Sequence, residues 1–258
     1  MRKWIVSFCC LCLVALATPA LAGYVLHMTE SAGGNGGISY VQSNRMAMDM
    51  GGMFIIIDLN DQTATIVNPK AKAYWKGPIQ TIADEVMGGV QKQMEKLLVN
   101  VPPEQREMMK QMMKQKGMPG VGPAGPPPKV SIKKTGKVET IAGYKAAEHQ
   151  VIADGQLAAA MWIDPKFNMR DELDMVKLEK AMAGVNKMGG GKSAMDSPAV
   201  AKLWTKGYPL KQVFYHMGQA STVTVHKVEK MKVPAGKFQP PAGYAKGALM
   251  DVMMAGQQ

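Results

Sequence analysis

Hydrophobic and polar residues alternate along much of the chain, and this period of two predicts β-strands. Asp154-Gly155 separates two such runs and is a strong hairpin signal. Because consecutive runs are joined by short turns, the pattern favours an antiparallel meander. The predicted strands are Tyr24–Glu30, Ile38–Met50, Met53–Leu59, Thr63–Asn68, Lys72–Lys76, Lys129–Thr135, Val138–Ala142, Tyr144–Ala153, Gln156–Ile163, Leu210–Met217 and Ser221–Lys232.

Two stretches change to the spacing of amphipathic helices. These helical insertions lie near 79–116 and 170–206, and within the first of them a second helix begins after Pro102-Pro103. Acidic residues in the first turn of the helix predicted over Arg170–Met188 match the helix dipole. Ser197-Pro198 is the expected cap of a short helix that ends at Gly207.

The pattern as a whole predicts a mainly β, α+β fold. Its sheet is a strongly curved, open antiparallel half-barrel, and helices cover the concave face because each amphipathic helix needs an apolar surface. Residues 117–128 form a Pro/Gly linker. The strands on either side of that linker each lack a complete sheet, so residues 23–258 are predicted to form a single domain.

Residues 1–22 have the pattern of a secretory signal peptide. Arg2 and Lys3 precede the apolar run Trp4–Ala17, and small residues follow at Ala20 and Ala22. The run is shorter than the roughly 20 residues that a membrane-spanning helix needs. We therefore expect cleavage before Gly23 and a periplasmic location.

All three cysteines, Cys9, Cys10 and Cys12, lie inside this leader, so the mature chain is expected to carry neither thiol nor disulfide. The formal charge is +11, and lysines are spread along the chain without an arginine-rich block or interleaved aromatic residues. This distribution argues against nucleic acid as a partner. It favours an anionic lipid surface or envelope polymer, or simply a soluble surface.

No motif of catalytic chemistry is complete. Gly191-Lys192-Ser193 has the spelling of a phosphate loop, but Asn186 stands where the first glycine is needed. The four histidines are not spaced as a helical zinc pair. We therefore predict a protein that is not an enzyme and that needs no cofactor.

Methionine is the compositional outlier, at 24 of 258 residues. Its side chain adapts to variable apolar shapes, which suits either a ligand pocket or ordinary sheet packing. The residues predicted to line a pocket for a lipid or acyl chain are Met46, Met48, Met50, Ile56, Trp75, Trp162 and Met182.

A second methionine cluster offers an alternative. Thioethers are soft ligands suited to copper(I) or silver, although an amphipathic lid helix would show the same stripe. The residues of this alternative metal site are Met108, Met109, Met112 and Met113.

Several motifs, taken in order, resemble the exported bacterial family called domain of unknown function 4412. They are Asn44–Met50, Phe54–Asn60, Val67–Trp75, Thr135–Tyr144, the strand with Trp162, and Phe238–Tyr244. That family is similar to the lipoprotein-carrier superfamily, which implies an open half-barrel lidded by helices around an apolar cavity. The resemblance implies no catalytic residues.

Three functions follow as hypotheses. The first is a periplasmic binding or carrier protein for a hydrophobic or amphipathic ligand. The second is copper(I) or silver binding by the methionine helix. The third is an envelope interaction module, in which the 117–128 linker and that helix dock on a partner protein.

Overall fold

The computed structural model describes residues 22–31, 36–49, 52–99, 105, 127–186, 193–216 and 218–255. Twelve strands in these ranges form one large, curved, open sheet. The strands are β1 (Gly23–Glu30), β2 (Ile38–Gln42), β3 (Arg45–Asp49), β4 (Phe54–Asp58), β5 (Thr63–Asn68), β6 (Ala73–Pro78), β7 (Val130–Ile141), β8 (Tyr144–Ala153), β9 (Gln156–Ile163), β10 (Pro209–His216), β11 (Gln219–Met231) and β12 (Ala245–Lys246).

The sheet consists of two meanders joined through β1. Its strand order is β12-β6-β5-β4-β3-β2-β1-β11-β10-β9-β8-β7. β1 pairs antiparallel with β2 on one side and with β11 on the other. The short β12 pairs parallel to β6, and the other pairings of the described strands are antiparallel. The predicted mainly β fold with an open antiparallel sheet is confirmed.

The prediction of one strand over Ile38–Met50 is wrong, because Ser43-Asn44 divides it into β2 and β3. Both turn residues have left-handed backbone angles, with φ values of 52° and 61°. Two consecutive positive φ values are what a two-residue hairpin turn requires. Neither residue is a glycine, so the usual sequence signal was absent.

The opposite error occurs at 129–142, where two predicted strands are one continuous strand, β7. Its register with β8 shifts between Lys134 and Val138. Gly136 lies inside this bulge with a φ of 85°, so the glycine bends the strand without ending it.

The described helices are α1 (Ile82–Val99), α2 (Met175–Asn186), α3 (Pro198–Trp204) and α4 (Leu249–Met254). A 3-10 turn, Ile79–Thr81, precedes α1, and another, Ala194–Asp196, precedes α3. The helix predicted after Pro102-Pro103 lies outside the described residues except for position 105, and so does the 117–128 linker except for its last two residues.

α2 begins five residues later than predicted because Asp174 is its N-cap. The Asp174 Oδ1 atom accepts hydrogen bonds from the backbone N–H groups of Val176 and Lys177, at 3.0 and 3.1 Å. The predicted cap of α3 is confirmed, since Ser197 Oγ accepts from Val200 N at 3.3 Å.

Each face of the sheet has its own buried cluster. We call the face that carries Leu26, Ile57 and Trp75 the inner face, and helices α1, α2 and α4 pack on it through residues such as Ile82 and Val252. We call the opposite face the outer face.

The second helical insertion divides between these two faces. α3 packs on the outer face, where Val200 and Leu203 contact Met161 and Ile163. α2 remains on the inner face through Leu178. None of the described helices is long and apolar enough to cross a membrane.

Candidate functional site: a lateral cleft beside a packed inner face

Four of the predicted pocket residues lie together on the inner face. Met46, Trp75 and Trp162 are 5%, 4% and 6% exposed, and Met48 packs against the same cluster. Met46, Trp75 and Trp162 are therefore already enclosed by the protein itself, and Met48 is partly enclosed.

Of the other three predicted pocket residues, one lies on the opposite face and two have side chains outside the described residues. Ile56 lies in the outer-face cluster with Ala47 and Val67. The register explains the separation, because Met46 pairs directly with Ile57 and side chains alternate between faces. Met50 lies outside the described residues, and so does the side chain of Met182, whose backbone belongs to α2.

The segment 164–174, between β9 and α2, fills part of the inner face. Phe167, Met169 and Leu173 are each 2% exposed and belong to the inner cluster. We call residues 164–174 the plug segment.

The ring of Phe167 is the centre of an aromatic group. Its centroid lies 5.9 Å from Tyr24, 4.8 Å from Tyr144 and 6.1 Å from Tyr208. Burial raises the pKa of Tyr208 to about 12, so its phenol stays protonated at neutral pH.

A latch holds the plug segment to the β2–β3 turn. The backbone N–H of Ser43 donates to Glu172 Oε2 at 2.7 Å, and that of Asn44 donates to the Glu172 carbonyl at 2.7 Å. Asn44 Oδ1 accepts from Asp174 N at 2.6 Å. The left-handed turn that divides β2 from β3 therefore also fixes the segment that fills the inner face.

A cavity of about 470 Å³, lined mostly by polar and charged residues, lies beside this latch. Its charged groups are paired with neighbours. Asp171 accepts from the Tyr24 hydroxyl at 3.1 Å and from Lys230 Nζ at 3.0 Å. Burial alone would raise the pKa of Asp171, but these two donors outweigh it and hold the pKa below its usual value. The polar groups around this cavity are therefore explained by contacts that stabilise the fold.

A second cavity, of about 330 Å³, is mainly apolar and lies between α2, α3 and β10. We call it the lateral cleft. Its apolar walls come from three elements: Met175 and Leu178 of α2, Trp204 of α3 and Phe214 of β10. Its polar lining residues are Glu179, Asp196, Thr205 and Gln212.

Asp196 is the most unusual group of the lateral cleft. Both of its carboxyl oxygens are buried and have no hydrogen-bond partner among the described residues. Burial raises the pKa of Asp196, and the nearby backbone N–H of Ser193 opposes that shift only in part. A buried carboxyl with so little donation from the described residues costs free energy, which a ligand carrying a donor would recover.

This carboxyl predicts a pH dependence of stability. The folded protein holds the Asp196 proton to higher pH than the unfolded chain, so this contribution is full below the ordinary pKa of 3.8 and is lost as pH rises above it. We expect Asp196→Asn to be more stable than the wild type at neutral pH, with the difference shrinking in acid. Urea unfolding between about pH 3 and about pH 7 measures it.

Asp61→Asn is the control for this experiment, because Asp61 is exposed in the β4–β5 turn. A wild-type and Asp196→Asn difference that does not change with pH would contradict the burial of an unpaired carboxyl.

No metal site emerges from the part of the chain that the structure describes. It contains no group of three or more His, Cys, Asp or Glu side chains that could hold an ion. Met108, Met109, Met112 and Met113 lie outside that part, so copper(I) or silver binding by their thioethers stays a prediction.

Fold and cleft together define an α+β protein with an open curved sheet and a binding-sized cleft at its side. The sequence model of the family Domain of unknown function (DUF4412) matches residues 90–244, and the chain belongs to this family. The resemblance drawn from the sequence is confirmed. Three of its motifs, between Asn44 and Trp75, lie before the matched segment.

Solved structures that the chain matches include PNGF-II in a C2 crystal form, with 12% identity, a TM-score of 0.41, and coverage of 90% of this chain and 32% of that one. MucB in complex with MucA(peri) matches with 11% identity, a TM-score of 0.34, and coverage of 86% and 55%. The Pseudomonas aeruginosa MucA/MucB complex matches with 11% identity, a TM-score of 0.35, and coverage of 86% and 57%. This chain thus spans about a third to just over half the length of these proteins. No curated protein matches it.

Proposed function

We propose that this protein is a non-catalytic periplasmic binding protein that takes an amphipathic ligand into the lateral cleft. The observation that carries the proposal is the cleft itself, whose apolar walls come from three elements and whose lining includes a few polar groups. Ligand sites of proteins are typically concave, mostly apolar and about 300–1,000 Å³ in volume. A volume of about 330 Å³ suits a small ligand or one end of a longer chain.

The packing of the inner face supports placing the ligand in the cleft. Met46, Trp75 and Trp162 contact the protein's own core, and the plug segment lies against the same cluster. A ligand bound on that face would have to displace Phe167 and Leu173, each 2% exposed. The lateral cleft requires no such displacement.

The apolar walls supply enough free energy for reversible binding. Each buried CH₂ group contributes roughly 0.8 kcal/mol, so an eight-carbon chain offers about 6 kcal/mol before the costs of association. Polar groups at the cleft would then decide which head group is accepted.

A pair of substitutions on one helix tests the site. Ala201 lines the cleft, whereas Ala199, on the same short helix α3, is not among the lining residues. We expect Ala201→Phe to fill the cleft and weaken the binding of 1-octanol about tenfold or more, and Ala199→Phe to leave it unchanged.

Isothermal titration calorimetry measures these affinities, and the change in total tryptophan fluorescence gives an independent reading because Trp204 lines the cleft. Equal affinities in Ala201→Phe and the wild type, or no binding of any octyl compound, would overturn the proposal.

A further inference from the structure

The described lining of the lateral cleft has a charge opposite to that of the chain as a whole. The sequence has 31 lysines and arginines against 20 acidic residues. The described lining of the cleft nevertheless contains two carboxylates, Glu179 and Asp196, and no basic side chain. An anionic head group placed there would meet like charge, whereas a cation would be attracted.

Asp196 strengthens this preference because its carboxyl oxygens are buried and lack a hydrogen-bond donor within the described ranges. An ammonium group supplies both the missing donors and the opposite charge, which makes the hydrogen bond stronger than a neutral one. Glu179 is exposed and contributes a weaker, solvent-screened attraction.

The uncharged walls also suit a cation. Trp204 and Phe214 bring aromatic rings to the cleft, and the faces of such rings attract ammonium and guanidinium groups. Met175 and Met195 add polarisable sulfur beside apolar carbon. Aromatic rings next to carboxylates are a common arrangement for recognising organic cations.

We infer that the cleft takes an amphipathic amine, that is, an alkyl or aryl chain that ends in an ammonium group. The chain lies against Leu178, Trp204 and Phe214, and the ammonium group pairs with Asp196 once that side chain turns its buried oxygens toward the cleft. This inference rests on the proposed function, since it names the ligand class of the same cleft.

Three probes with the same eight-carbon chain test the head group: octylammonium, 1-octanol and octanoate. We expect octylammonium to bind the wild-type protein about tenfold more tightly than 1-octanol, and octanoate to bind most weakly. This ranking needs no variant, so it holds as a test even if a substitution impairs folding.

Two carboxamide variants then locate the effect. Asp196→Asn should remove most of the preference for octylammonium while leaving 1-octanol binding within about twofold. Glu179→Gln should reduce the preference by a smaller factor, because its carboxylate is exposed. Glu95→Gln, an exposed position on α1, is the matched control and should change nothing.

The outcomes separate this inference from the proposed function. If the three probes bind equally and Ala201→Phe weakens all of them, the cleft binds amphiphiles but the amine preference is wrong. If octanoate binds best, the inference is also wrong. If none of the probes binds, the proposed function fails and the inference fails with it.

Discussion

Replacing Phe167 with alanine is expected to lower the free energy of unfolding by about 3–5 kcal/mol. The side chain is 2% exposed and its ring lies near those of Tyr24, Tyr144 and Tyr208. Truncation removes the buried apolar surface and the aromatic contacts, and leaves a cavity that the surrounding sheet can close only in part. Urea unfolding followed by circular dichroism measures the loss.

Lys166→Ala is the matched control, since the neighbouring side chain is exposed and its removal should cost less than about 0.5 kcal/mol. Phe167 does not line the lateral cleft, so 1-octanol should still bind Phe167→Ala wherever the variant is folded. A variant of wild-type stability that binds 1-octanol more tightly would show that the inner face is the ligand pocket.

The second large effect concerns the latch. Glu172→Ala removes the acceptor of the Ser43 N–H and leaves that donor in a partly buried turn, which is expected to cost about 1–3 kcal/mol. Glu172 is 4% exposed, so water has little access to replace the bond. The same urea titration reports the change.

Glu172→Gln keeps the side-chain volume and an acceptor oxygen, and removes only the charge. Its amide oxygen still accepts from Ser43, although more weakly than a carboxylate, so it should recover part of the stability. Glu179→Ala, which removes an exposed carboxylate from α2, should have little effect. A loss in Glu172→Ala no larger than that in Glu179→Ala would mean that the contact with Ser43 contributes nothing.

The β8–β9 hairpin shows what the sequence could predict. Its strands, Tyr144–Ala153 and Gln156–Ile163, have the bounds expected from alternation and from the Asp154-Gly155 turn. Both turn residues have positive φ values, 48° and 80°. Here the local pattern and the turn chemistry specify the same structure, so a single sequence is enough.

Other features depend on contacts that no local pattern records. The Ser43-Asn44 turn is stabilised by Glu172, which is distant in sequence. Asp174 caps α2, so the helix starts after the acidic run instead of within it. Which face Ile56 occupies depends on the register of β3 with β4, and that register follows from turn lengths that alternation alone does not give.

The lateral cleft was not predicted for the same reason. Glu179, Asp196 and Phe214 come from different elements and meet only because α2 and α3 dock beside β10. Ser197-Pro198 predicted the start of α3, but not the outer face on which that helix packs. Asp196 alone, read in sequence, is one more acidic residue before a helix.

The central position of β1 has a consequence for how the chain reaches its fold. Tyr24 of β1 pairs with Lys230 of β11. β1 is the first described strand in chain order and β11 is nearly the last, so this pairing joins residues that are far apart in sequence. Hairpins can form locally on either side of the β1–β11 pairing, but β9 and β10 are separated by residues 164–208, and the union of β1 with β11 requires closure of a still longer loop. Such non-local pairing slows folding and leaves strand edges open to wrong partners in the meantime. We expect slow refolding, limited by the β1–β11 union, and aggregation when a substitution weakens that union.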